Sequence, residues 1–145
     1  MLSKNPKETK KIAKVFLKKL LKNKKGKNAL VVGLSGNLGA GKTAFTKFAG
    51  KHLGIKSKIY SPTFVIMKKY PIKLKGYKFF FHLDAYRLKN KKELMHLGWG
   101  DIIKDKEHLI FIEWPENVAK AMPSHARFIH ITHGKKENHR VFKLK

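Results

Sequence analysis

Ala29-Leu30-Val31-Val32-Gly33-Leu34-Ser35-Gly36-Asn37-Leu38-Gly39-Ala40-Gly41-Lys42-Thr43 is the stretch that decides the fold of this chain. Residues 29–34 are apolar, rich in branched side chains and free of charge, which predicts a buried strand. Residues 36–43 satisfy G-x-x-x-x-G-K-[ST] in full. Glycines let a backbone wrap closely enough for successive amide hydrogens to face one phosphate. A helix starting near Lys42 adds its unpaired amides and the positive end of its dipole. The pattern predicts a cradle for ATP and Mg²⁺ built from Asn37, Leu38, Gly39, Ala40, Gly41, Lys42 and Thr43. In it Lys42 reaches the β- and γ-phosphates, and Thr43 turns its hydroxyl to the metal.

Upstream, Asn5, Pro6 and Glu8 stand where a helix cap, a first-turn proline and a capping-box acid belong. Ile12, Val15, Phe16 and Leu20, with Leu17 and Leu21 beside them, form an apolar stripe at helical spacing. The polar stretch 22–28, with Gly26, is read as the stop of that helix. Downstream of the loop the pattern predicts a helix over 42–52, ended by Gly54. A hairpin follows from strands 64–70 and 77–83, with Pro71 and Gly76 between them. Short helices over 91–97 and 98–104 lead to a second buried strand, 108–112. Beyond Pro115 a short helix or loop precedes late strands at 127–132 and 140–144. Strand, loop, helix and further buried strands predict one α/β domain over residues 1–145: a P-loop NTPase-like fold with a mixed, mostly parallel sheet flanked by helices.

A phosphate loop needs a carboxylate at the end of a neighbouring strand to hold Mg²⁺ or its water. Glu113 follows Leu109-Ile110-Phe111-Ile112, and Asp84 follows Phe79-Phe80-Phe81-His82-Leu83. Either acid could instead cap a helix or form an ordinary ion pair. His82, two residues before Asp84 and therefore on the same strand face, reads as either a core or a site histidine.

With 42% apolar residues, 145 residues are enough to bury a core. There are no cysteines, which excludes disulfides and thiolate metal sites. No run of eighteen apolar residues and no signal peptide is visible, so no membrane is expected and the cytoplasm is the expected location. The net charge of +25 is either a field for polyanions such as RNA or lysine spread over solvated surface. Only Arg87, Arg127 and Arg140 are arginines, and the lysines are scattered, which favours the second reading. The far-apart arginines also argue against the basic lid of a small-molecule kinase. The aromatics lie in apolar strands and helix stripes, which argues against a non-enzymatic RNA binder.

Gly36–Thr43, Ser61-Pro62-Thr63-Phe64, His82-Leu83-Asp84-Ala85-Tyr86-Arg87-Leu88, Glu93-Leu94 with Leu97-Gly98, and Ile112-Glu113-Trp114-Pro115-Glu116 occur in the order and spacing of the TsaE (YjeE) family. The chain resembles that family of P-loop ATPases over roughly residues 9–140. The resemblance implies slow, Mg²⁺-dependent ATP hydrolysis in the synthesis of N6-threonylcarbamoyladenosine at position 37 of tRNA. It also implies docking onto a complex of TsaD and TsaB, whose turnover this subunit resets. Carried over by position, Thr43 and Glu113 are metal ligands, and Asp84 with Lys42 and Thr63 serves hydrolysis. The loop around Thr63 is a switch near the γ-phosphate, and Trp114 lies beside the nucleotide. Trp114 could equally be core or partner interface, and Arg87 could meet a phosphate, a partner or a nearby acid. Asn37 stands where the family commonly has Asp, and Ala85 where it has a larger apolar residue. Direct tRNA contact is not implied by the resemblance and stays open.

Overall fold

The computed structural model describes residues 1–23, 26–57, 59 and 66–145. The chain forms β1 (Leu2–Ser3), α1 (Pro6–Lys22), β2 (Leu30–Ser35), α2 (Lys42–His52), β3 (Met67–Leu74) and β4 (Tyr77–Asp84). It continues through α3 (Lys91–Met95), α4 (Trp99–Ile102), β5 (His108–Glu113), a kinked 3₁₀ segment Pro115–Ala121, β6 (Arg127–His133) and β7 (Arg140–Leu144). The strands make one sheet in the order β1-β7-β6-β2-β5-β4-β3. Its centre, β6-β2-β5-β4, is parallel, and antiparallel pairs close both flanks. The fold class expected from the sequence is the one found.

Central strands are apolar on both faces because both faces are covered. On one face Val32, Leu34, Phe80, Leu109 and Phe111 pack against Phe16, Leu17 and Leu20 of α1 and Phe45 and Ala49 of α2. Phe45 stacks on Phe111 at 6.5 Å between centroids, and Phe16 meets both edge-on. On the other face Val31, Phe81, Leu83, Ile110 and Ile112 pack against Leu94, Trp99, Val118 and Ala121. The alternation along β4 and β5 therefore turns Phe80, His82 and Asp84, and likewise Leu109, Phe111 and Glu113, toward the α2 side.

Asn5 caps α1 as expected, its Oδ1 accepting from the Glu8 amide at 3.0 Å, while the Glu8 carboxylate accepts from the Lys4 amide at 2.7 Å. Val15 does not belong to the buried stripe: it is 44% exposed, and Ile12, Ala13, Phe16, Leu17 and Leu20 make the contact face. The helix ends at Lys22 with Asn23 in extended backbone, ahead of Gly26. Gly54, at φ +84°, ends α2 as predicted. The hairpin is shifted from its expected bounds. Pro71 lies inside β3 and not in the turn, which falls at Gly76 with φ +88°. An edge strand tolerates proline because a missing amide on its outer side breaks no ladder bond.

Candidate functional site

Three parallel strands deliver the site to one end of the sheet. The glycine-rich loop leaves β2, Asp84 ends β4 and Glu113 ends β5. Asp84 and Glu113 are register partners. Gly36, Gly39 and Gly41 carry φ of +145°, +77° and +106°. At Gly39 and Gly41 the space where a side chain would start is open. Gly36 differs: a Cβ there would lie 2.2 Å from the Ile131 carbonyl oxygen, so β6 and the loop touch backbone to backbone. From the far side Arg140 Nε donates to the Ala40 carbonyl at 3.1 Å and braces the loop against β7.

Among the described residues no side chain caps α2, and no acid stands in its first turn. Its leading amides and dipole are thus left to whatever lies in front of the loop. Lys42 is 4% exposed and donates to the carbonyls of Gly36 at 2.6 Å and Asn37 at 3.0 Å. Its ammonium also lies 4.2 Å from the centre of the Trp114 ring, a cation–π contact. Burial lowers the Lys42 pKa, and the negative charges of Glu113, Glu116 and Asp84 oppose that shift. Three of the nine acids in the chain are therefore gathered around this one lysine.

Thr43 Oγ1 donates to Glu113, at 2.9 Å to Oε1 and 3.1 Å to Oε2. Glu113 is 2% exposed and also receives His82 Nε2 at 2.6 Å. Asp84 Oδ1 accepts from the Tyr86 amide at 2.9 Å. Burial raises the Asp84 carboxyl above the usual range, with the Tyr86 amide pulling it down and the Glu113 charge pushing it further up. Asn117 Nδ2 donates to the carbonyls of Ala85 and Tyr86 and ties this turn to the 3₁₀ segment.

A cleft of about 380 Å³ joins Leu38, Gly39, Gly41, Lys42, Thr43, Asp84, Arg87, Glu113 and Trp114. The structure thus brings together the predicted loop residues, both acids and Trp114. Asn37 takes part through its carbonyl, and Ala40 is buried beneath the loop. Thr63, with the segment 61–64, lies outside the described residues. Sequence reading did not find that Tyr86 lies against Trp114, ring centroids 5.0 Å apart, or that Trp114 adopts a left-handed φ of +59°. No residue type at either position announces this. The His82–Glu113 contact was not visible either: the sequence placed His82 only on the strand face of Asp84.

Parallel strands that carry a glycine-rich loop and two acids to one end of a sheet define a P-loop NTPase-like α/β protein. Residues 3–142 match the family described as threonylcarbamoyl adenosine biosynthesis protein TsaE, and the chain belongs to that family. Relatives named tRNA threonylcarbamoyladenosine biosynthesis protein TsaE include one from Rickettsia prowazekii, 40% identical over 76% of this chain and 69% of its own. One from Bacillus subtilis is 38% identical over 77% and 68%. One from Rickettsia felis is 39% identical over 77% of this chain, and the match spans only 60% of the R. felis protein's length. The fold is similar to the crystal structure of Bacillus subtilis YdiB. The TM-score is 0.72 with 27% identity, covering 99% of this chain and 82% of that one. Among the described residues no helix is long and apolar enough to cross a membrane.

Proposed function

We propose that this chain is a Mg²⁺-dependent ATPase of tRNA threonylcarbamoyladenosine biosynthesis, and that it acts on the complex of TsaD and TsaB. The observation that carries the reading is the Thr43–Glu113 hydrogen bond, which joins the residue after the loop lysine to the acid ending a neighbouring strand. Family membership supports the pathway.

The residues fit the metal. One hydroxyl and one carboxylate match the habit of Mg²⁺, which takes one or two protein ligands and completes its shell with phosphate and water. Thr43 and Glu113 would hold it, and when bound it would neutralise charge on the β- and γ-phosphates. The open positions over Gly39 and Gly41 suit close approach of phosphate oxygens to the loop backbone. Lys42, which donates to two loop carbonyls, would hold a phosphate bound in the loop and supply electrostatic stabilisation of its charge. Asp84 orients the attacking water by accepting a hydrogen bond, and its raised pKa makes it a better proton acceptor than an exposed aspartate. Trp114 and Tyr86 offer apolar ring surface at the rim for the base or for a partner.

The test is ATP binding and hydrolysis by wild type and Lys42→Ala, with and without purified TsaD–TsaB. Magnesium-dependent turnover that rises with the partners and vanishes with Lys42 is the expected result. Binding without turnover in every combination would overturn the ATPase reading while keeping the loop as a ligand site.

A further inference from the structure

His82 is fully buried on β4, two residues after Phe80 and two before Asp84. Its place in the alternation, beside Phe111 of β5, is one where an apolar side chain would complete the core. Nε2 lies 2.6 Å from Glu113 Oε2, and because a carboxylate only accepts, Nε2 carries the hydrogen. The other ring nitrogen, Nδ1, is buried and has no partner among the described residues. A buried ring that leaves half its hydrogen-bonding capacity unused is costly, and a leucine would pack there without a polar atom. Packing alone therefore does not call for histidine at this position. The contact with Glu113 does.

Glu113 has three side-chain torsions and, among the described residues, receives two side-chain donors, Thr43 and His82. Thr43 Oγ1 spans both carboxylate oxygens, at 2.9 and 3.1 Å, through a hydroxyl whose hydrogen can rotate. His82 approaches one oxygen only, from a fully buried ring. We propose that His82 is a positioning residue, whose Nε2–H fixes the rotamer and plane of Glu113 so that the carboxylate presents itself to Thr43 and the cleft. It acts through Glu113 and touches neither nucleotide nor metal. This deepens the function proposed above and rests on it, since Glu113 is there the acid that faces Mg²⁺. Outer hydrogen-bond partners of metal-binding side chains orient those ligands, and removing one typically costs about 10–100-fold in metal affinity.

The experiment compares ATP affinity in Mg²⁺ with affinity in EDTA, by calorimetry, for wild type, His82→Leu, His82→Gln and His82→Asn. A thermal melt confirms that each variant is folded. The Leu variant is expected to match wild type in EDTA and to lose about ten-fold or more of the gain that Mg²⁺ confers. Gln, whose amide N–H reaches as far as Nε2, restores most of that gain, and the shorter Asn does not. Should the Leu variant fail to fold, the Gln–Asn difference carries the same decision. An equal Mg²⁺-dependent gain in wild type and Leu, or in Gln and Asn, overturns the role of His82 and leaves the site intact. A wild type without Mg²⁺-dependent ATP affinity overturns the site itself, and this inference with it.

Discussion

Asp84 and Glu113 end adjacent parallel strands side by side, in register, and both turn to the amino end of α2. The negative charge of Glu113 beside the half-buried Asp84 disfavours ionisation of Asp84. Burial is the largest cause of the raised Asp84 pKa, and the Glu113 charge adds to it. The folded protein consequently keeps a proton on Asp84 over a pH window where the unfolded chain has lost it. By linkage, stability falls as pH rises from the ordinary value of 3.8 through the raised one, and the penalty is complete above it.

Asp84→Asn removes that penalty and keeps an oxygen for the Tyr86 amide. The variant is expected to melt a few degrees higher than wild type at pH 7, on the order of 2 °C. The difference shrinks as pH is lowered through the window. Turnover falls about 10²-fold or more, the usual scale for an acid–base group, with nucleotide binding retained. Melting curves from pH 4 to 8 beside ATPase assays check both, and a variant less stable than wild type at neutral pH would refute the electrostatic account.

The glycines of the loop are predicted to be unequal. Gly36→Ala drives a methyl group against the Ile131 carbonyl in a backbone region that side chains avoid, at a cost of roughly 3–5 kcal/mol. Gly39→Ala meets open space and bears only the strain of its positive φ, about 1–2 kcal/mol. Urea titrations of the two variants should rank them in that order.

Thr43→Val leaves the buried Glu113 with one donor fewer, so stability should fall by about 1–2 kcal/mol and Mg²⁺-dependent ATP affinity should drop. Thr43→Ser keeps the hydroxyl and is expected to behave as wild type. Denaturant midpoints and calorimetry distinguish them, and identical behaviour of Val and Ser would remove Thr43 from the site.

Phe45 is fully buried among Phe16, Phe111 and Phe142. Phe45→Ala should cost about 3–5 kcal/mol, seen as a lower denaturant midpoint with little change in slope.

What could be read from sequence was whatever local chemistry dictates. The charge-free run into the glycine loop, the Asn5 cap and the acids after apolar strands each follow from neighbours a few residues apart. Contacts that depend on register were not legible. His82 and Glu113 are 31 residues apart, and only the pairing of β4 with β5 brings them together. Val15 misled because helical spacing alone cannot say which edge of a stripe faces inward, and Ala13 took that place. Pro71 read as a turn because its tolerance in a strand depends on that strand lying at the edge, a fact of the whole sheet. Trp114 in a left-handed turn runs against the preference of its residue type, and no neighbour betrays it.

The same edge has a consequence for how the chain behaves in a crowded solution. Phe79-Phe80-Phe81 in β4 is the kind of segment that stacks with copies of itself when its backbone is bare. β3 pairs along its edge, with Lys68, Lys69, Pro71 and Lys73 exposed along the strand, and Lys69 resting its ammonium 3.9 Å from the Phe79 ring. Charge and a missing amide make that strand a poor template for another chain. β3 thus shields the side of β4 that would otherwise be open to another chain.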